Sequence, residues 1–167
     1  KHHTLVLSSA GRVFAWGHSN YGELGDATAT PRHSPVAVDT SVFLSARTVT
    51  QIAAGDFFSA ALTDDGLLCA WGSNNSGEIG DGTSIDATVP TAVDMSGTMA
   101  GMAASALSSG ERSLFALAAP VITTITPANR FTYAANFGWL NWRTNPLALD
   151  APVIETTMLH GRVYSAN

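Results

Sequence analysis

Positive charge is scarce in this chain. Its 167 residues carry eight Lys and Arg against 13 Asp and Glu, a formal net charge of −5, and only 13% of residues are charged at all. Up to Ala119 the balance is five basic residues (Lys1, Arg12, Arg32, Arg47, Arg112) against eleven acidic ones, or −6. No stripe of Lys and Arg is available to neutralise phosphates, which points away from nucleic acid and from an anionic membrane surface as partners. One cysteine, Cys69, excludes an intrachain disulfide framework. No apolar run is long enough to span a bilayer as a helix. Helical periodicity is missing from the first two thirds of the chain, where glycines at 17, 22 and 25 would interrupt a helix.

What is present is a repeat. Ala15-Trp-Gly-His-Ser-Asn-Tyr-Gly-Glu-Leu-Gly-Asp-Ala-Thr28 returns as Ala70-Trp-Gly-Ser-Asn-Asn-Ser-Gly-Glu-Ile-Gly-Asp-Gly-Thr83, identical at nine of fourteen positions and displaced by 55 residues. The register extends further: Pro35, Val38 and Asp39 map onto Pro90, Val93 and Asp94. The segment ahead of the box occurs three times, as 1–7, 56–62 and 111–117, and 52–55 matches 107–110. Two boxes, 15–28 and 70–83, and a third opening at 107–117 are therefore present. A repeat unit cannot bury its apolar face alone, so neighbouring units must cover one another.

Ser8-Ser-Ala-Gly11 and Thr63-Asp-Asp-Gly66 lie between short β-branched and aromatic runs, which predicts an antiparallel hairpin opening each unit. Trp16 and Trp71 close a strand and are expected to be core indoles whose N–H finds a backbone partner. The segments bounded by Gly17, Gly22 and Gly25, and by Gly72, Gly77 and Gly80, are expected to reverse the chain.

This punctuation, with Ala-Trp-Gly, Gly-Glu-(Leu/Ile)-Gly and a later Pro-x-x-Val, resembles the repeat of the regulator of chromosome condensation family over residues 1–117. The resemblance implies an all-β fold of two to three four-stranded β-propeller blades, an incomplete ring, followed by a short C-terminal β segment. It also implies a structural, backbone-bonding role for His3. Glu23 and Glu78 stand where the family usually has Gln, the family's His becomes Phe58 and Ser113, and the third unit has lost its Trp-Gly box. Closed propellers use about four to eight blades, so the chain is expected to be a piece of a larger protein or a unit that self-associates through exposed blade edges.

The composition changes after Ala119. Pro120-Val-Ile-Thr-Thr-Ile-Thr-Pro127 predicts a strand opening a separate C-terminal β-rich module over 120–167. Tyr133-Ala-Ala-Asn136 recurs as Tyr164-Ser-Ala-Asn167, and the continuation Phe137-Gly-Trp139 faintly resembles aromatic repeats of bacterial surface proteins. That resemblance implies an extracellular or cell-surface location.

Convergent chemistry is sparse. The histidines at 2, 3, 18, 33 and 160 lack metal-ligand spacing, and His2 and His3 point to opposite faces of a strand. Asp26 and Asp81 suit turns that bond nearby N–H groups better than a calcium loop. Cys69 shares a strand face with Trp71 and is expected to be buried and inert. Asp64 and Asp65 fall in a hairpin turn. There is no Gly-x-Ser-x-Gly elbow and no phosphate loop. No catalytic residue, cofactor or metal is expected. Tyr21, Arg32 and His33, where the copies diverge to Ser76, Ala87 and Thr88, are the candidate interaction positions, expected on loops after the box. The expected function is a non-enzymatic protein-interaction scaffold within a secreted or surface bacterial protein. The alternatives are guanine-nucleotide exchange on a small GTPase, which the family name implies, and inhibition of a secreted enzyme.

Overall fold

A computed structural model describes residues 2–121 and, in the tail, the strands Phe131–Ala134, Gly138–Asn141, Thr156–Leu159 and Arg162–Ser165. The chain divides into two compact units, Lys1–Val121 and Ile122–Asn167.

The first unit holds three antiparallel sheets. Strands β1 (His3–Leu7), β2 (Val13–Gly17) and β3 (Arg32–Ala37) form a three-stranded sheet in sequence order. Strands β4 (Val49–Ala54), β5 (Phe58–Thr63), β6 (Leu68–Gly72) and β7 (Ala87–Ala92) form a complete four-stranded blade. A two-stranded sheet follows, of β8 (Met102–Ser109) and β9 (Leu114–Pro120). These sheets do not close a ring.

The 55-residue period is a period of strand register. His3 pairs with Gly17 as Phe58 pairs with Gly72, and Phe14 with Ala37 as Cys69 with Ala92. Irregularities repeat as well: the pairing shifts between Ala15 and Gly17 and again between Ala70 and Gly72. The shift between Val49 and Gln51 recurs between Ala104 and Ala106. Sheet β8–β9 therefore corresponds to the first two strands of the complete blade, and β1–β2–β3 to its last three. A unit thus opens one strand earlier than the hairpin that the sequence suggested, because 49–54 and 102–109 are themselves strands.

The hairpin turns form as expected. Ser8 N–H donates to Arg12 O, and Gly11 N–H to Ser8 O. In the next unit Thr63 N–H donates to Leu67 O and Gly66 N–H to Thr63 O, while the Thr63 hydroxyl contacts Asp65 and Leu67 O.

The core lies between sheets. Val13 and Ala15 of the first sheet and Leu24 of the box loop between β2 and β3 are buried with Val49, Ala61, Cys69 and Trp71 of the second sheet, and Leu5, Leu7 and Ile52 pack against them. The second junction is smaller: Leu62 and Leu68 pack on Ala104, and Ala60, Ala70 and Ile79 receive Leu107 and Leu114. Backbone groups stitch both junctions at equivalent places. Val49 N–H donates to Gly11 O (3.3 Å) and Ala104 N–H to Gly66 O (2.8 Å). Burial pushes the Cys69 thiol up to about 12, which leaves it an inert packing group.

In the tail, β10 (Phe131–Ala134), β11 (Gly138–Asn141), β12 (Thr156–Leu159) and β13 (Arg162–Ser165) form one sheet in the order β10-β11-β13-β12, in which β11 and β13 run parallel. Tyr133 and Trp139 are paired across β10 and β11. The expected strand at 120–127, beyond Val121, and Asn136, Phe137, His160 and Asn167 lie outside the described residues.

Gly25 shows how the box serves the junction. Its φ is +66°, and a Cβ there would come within 2.7 Å of Trp71 Nε1, whereas Gly77 (φ +80°) has nothing within 4 Å of that position. Gly77→Ala is expected to cost about 1–2 kcal/mol, the strain of a left-handed Ala. Gly25→Ala adds a clash between blades and is expected to cost at least about 1 kcal/mol more. Urea denaturation of both variants checks the difference. The Cys69 thiol is expected to react with a water-soluble disulfide reagent only at the rate of unfolding, which a stopped reaction in increasing urea reads directly.

Candidate functional site

The junction between the first two sheets is organised around one residue of the first Gly-Glu-Leu-Gly box. The backbone carbonyl of Glu23 accepts a hydrogen bond from the Trp71 indole Nε1 (2.9 Å) and another from the Ser59 hydroxyl (2.7 Å). His3 Nε2 lies 2.9 Å from the same hydroxyl oxygen. Trp71, Ser59 and Glu23 are fully buried. The expected backbone partner of an indole is therefore found at Trp71, and it belongs to the preceding blade. Trp16 occupies the matching register position, opposite Thr4 as Trp71 is opposite Ser59, but it is only half-buried. Among the described residues no sheet precedes it.

The resemblance implied that His3 bonds neighbouring backbone. The structure corrects this: its partner is the Ser59 side chain, and it reaches the Glu23 carbonyl through that hydroxyl. Burial is the main reason the His3 imidazole is pushed down to about 4, against the opposing attraction of Glu23.

The Glu23 carboxylate supports the surface above. Its Oε2 accepts the Tyr21 N–H (2.8 Å), and its Oε1 lies 3.1 Å from His18 Nδ1. Four rings follow one another over this seam. His2 and His18 have centroids 6.3 Å apart, His18 and Phe57 6.5 Å, and Tyr21 and Phe57 5.7 Å, all edge to face. Tyr21 and Phe57 are 37% and 38% exposed. Of the three interaction candidates, Tyr21 sits in this cluster. Arg32 and His33 do not lie on a loop: both belong to β3, and Arg32 is committed to Asp26 (Nη2 to Oδ2, 2.8 Å) and Thr28. The alternating Arg-His-Ser-Pro-Val-Ala run extends because it pairs with β2 after the shift at Trp16. His33 is exposed.

The remaining box residues are committed to local structure. Asp26 accepts the Thr28 N–H and Asp81 the Thr83 N–H, the turn bonding expected of them. Burial opposes ionisation of Asp26, but hydrogen bonds from Thr28 and Arg32 hold its carboxyl below the ordinary range. Asn74, buried in the second box, donates to Asp81, Thr83 and Ile85 and accepts the Ile79 N–H (2.9 Å). Its counterpart Ser19 accepts the matching bond from Leu24 N–H (3.4 Å). Asp64 and Asp65 sit in their turn, Asp65 paired with Arg47.

Sequence reasoning missed Ser59, Phe57 and Gln51. Gln51 accepts the Leu107 N–H (2.9 Å) and donates to Ser105 O (3.1 Å), filling the irregularity of β8 from the neighbouring blade. The available signal was position in the repeat: Phe57 corresponds to His2 and Arg112, three different residues at one register position.

This geometry, recurring sheets locked by a box residue and an indole, defines a β-propeller repeat. The profile described as Regulator of chromosome condensation (RCC1) repeat matches residues 10–62 and 65–117, and a second RCC1-repeat profile matches 49–78. The chain belongs to the RCC1 repeat family. It is 37% identical over 93 residues to the human E3 ubiquitin-protein ligase HERC2, covering 55% of this chain and 2% of that protein. It is 41% identical over 80 residues to the human X-linked retinitis pigmentosa GTPase regulator, covering 48% of this chain and 8% of that protein. Among solved structures, human WBSCR16 superposes with a TM-score of 0.59 at 27% identity, covering 71% of this chain and 29% of WBSCR16. Prp20p from Saccharomyces cerevisiae, studied for its binding to Gsp1p and histones, superposes with a TM-score of 0.60 at 20% identity, covering 73% of this chain and 30% of Prp20p. The chain thus spans less than a third of either solved relative and a small fraction of the curated ones.

The junction predicts a pH dependence. Because the folded His3 sits at about 4 and an unfolded one near its ordinary 6.5, the unfolded state binds the proton first as pH falls. The stability held above pH 6.5 is lost progressively down to about pH 4. His3→Phe, which imports the residue at position 58, is expected to flatten the profile in that window. Urea midpoints of both proteins between pH 4 and 7.5 check it, and equal slopes would contradict the assignment.

Proposed function

We propose that the repeat region is a non-enzymatic protein-interaction scaffold whose loops at the Trp-Gly end of the blades carry recognition. The supporting observation is the contrast across the first junction. The buried side is fully committed to holding blades together, while Tyr21 and Phe57 stand half-exposed above it on a rigid base. Among the described residues there is no group of three or more His, Cys, Asp or Glu side chains placed to hold a metal ion. A secreted or surface location in a bacterium is part of the same proposal and draws only on the sequence of residues 120–167. A surface of this kind would equally serve a binder or inhibitor of a secreted enzyme. The competing reading is nucleotide exchange. It draws on the printed name of the GTPase regulator and on the Gsp1p binding of Prp20p, whose 20% identity supports the fold alone.

Photo-crosslinking residues placed at Asn20 and His33, both exposed, in the protein's own cellular setting, are expected to capture a protein partner. The same residue at Asp64, in the opposite hairpin turn, is expected to capture none. Capture from Asp64 alone would overturn the proposed face. Acceleration of nucleotide release from a GDP-loaded small GTPase would overturn the scaffold reading in favour of exchange.

A further inference from the structure

We infer that the ring cluster at the first junction is a docking site for an arginine-bearing basic segment of a partner protein. This deepens the scaffold reading and rests on it. Three observations converge. The first is geometric: Tyr21 and Phe57 meet at 77°, so the ring presenting its edge keeps both faces clear of the other, and both are more than a third exposed. Their positions are fixed in advance. Tyr21 N–H is held by the Glu23 carboxylate, and Phe57 O accepts the Ser73 N–H. Little ordering entropy is then lost when a cation stacks on them.

The second observation is charge. The unit Lys1–Val121 holds eleven carboxylates against one lysine and four arginines, and three of those arginines are engaged with Asp26, Asp65 and Glu78. The field of this unit attracts a basic segment and repels an acidic one. The third is the next junction, which shows the same register with a guanidinium in place. Arg112 occupies the position of Phe57, and its Nη2 lies 3.6 Å from Oε1 of Glu78, the counterpart of Glu23. Tyr21 and His18 are there replaced by Ser76 and Ser73. One seam supplies its own arginine beside its carboxylate. In the other the buried Glu23 carboxylate is engaged by Tyr21 N–H and His18 Nδ1, and what faces solvent above it is the pair of aromatic rings, on which an outside guanidinium can stack. A planar guanidinium stacks on such faces better than an ammonium.

The test uses the full chain and a fluorescein-labelled decapeptide of alternating Arg and Gly, read by anisotropy at low salt. Saturable binding is expected, with no comparable binding of the alternating Glu-Gly peptide. Tyr21→Ser and Phe57→Arg, each importing the residue found one repeat later, are expected to weaken it by about threefold to thirtyfold. Val42→Ser, at an exposed apolar residue of another loop, is expected to leave it unchanged. Circular dichroism establishes that each variant is folded. Equal affinity in the Tyr21 and Phe57 variants, equal binding of the acidic peptide, or no binding of the basic one would overturn the inference. If crosslinks from Asn20 and His33 persist in those cases, only the cationic nature of the partner falls; if they vanish too, the scaffold reading falls with it.

Discussion

One backbone oxygen, that of Glu23, carries the junction on which the described fold depends. It accepts hydrogen bonds from the Trp71 indole and the Ser59 hydroxyl, both donated by the following blade and both buried. A carbonyl at that depth would be costly to leave unpaired, and so would either donor. Each such bond contributes about 1 kcal/mol net when made, but the geometry they demand is worth more than the sum. They fix the distance at which the indole meets Gly25 and the orientation in which the Val13, Ala15 and Leu24 side meets Val49, Ala61 and Cys69.

The second junction keeps the plan with different parts. The third unit has no Trp-Gly box, so among the described residues no indole at the position equivalent to Trp71 reaches back to Glu78. Gln51 instead reaches forward to Leu107 and Ser105, Ser109 donates to Ala54 O, and Arg112 pairs with Glu78. Phe115 and Leu117 of β9 are 60% and 69% exposed, whereas their counterparts Ala60 and Leu62 are buried by Ala104, Leu107 and Leu114 of the sheet that follows them. The RCC1 repeat therefore specifies the register of each blade firmly and the contact between blades residue by residue.

Strand pairing was legible in the sequence because a 55-residue displacement in letters is a 55-residue displacement in register, and Asp-Gly or Ala-Gly turns mark the hairpins. The indole's need for a backbone acceptor was legible too. Which carbonyl it finds was not, since Trp71 and Glu23 are brought together only by the packing of two blades. The strands at 49–54 and 102–109 were obscured by short runs of Ala and Ser, whose strand propensity is low and whose pairing with β5 and β9 decides the matter. Arg32 and His33 were expected on a loop because they follow the box at positions where the copies diverge, yet they open β3, an edge strand in which Pro35 is tolerated. Phe57 carried no signal of its own. Its exposure follows from a register position that the repeat fills with His, Phe and Arg in turn.

Hydrogen exchange at the tryptophan indoles tests the central claim most directly. In the full chain labelled at tryptophan nitrogen, with the Trp71 resonance assigned by its loss in Trp71→Phe, the account predicts that the Trp71 indole N–H exchanges only through opening of the junction, orders of magnitude more slowly than that of half-buried Trp16. Equal, rapid exchange at both indoles would contradict it.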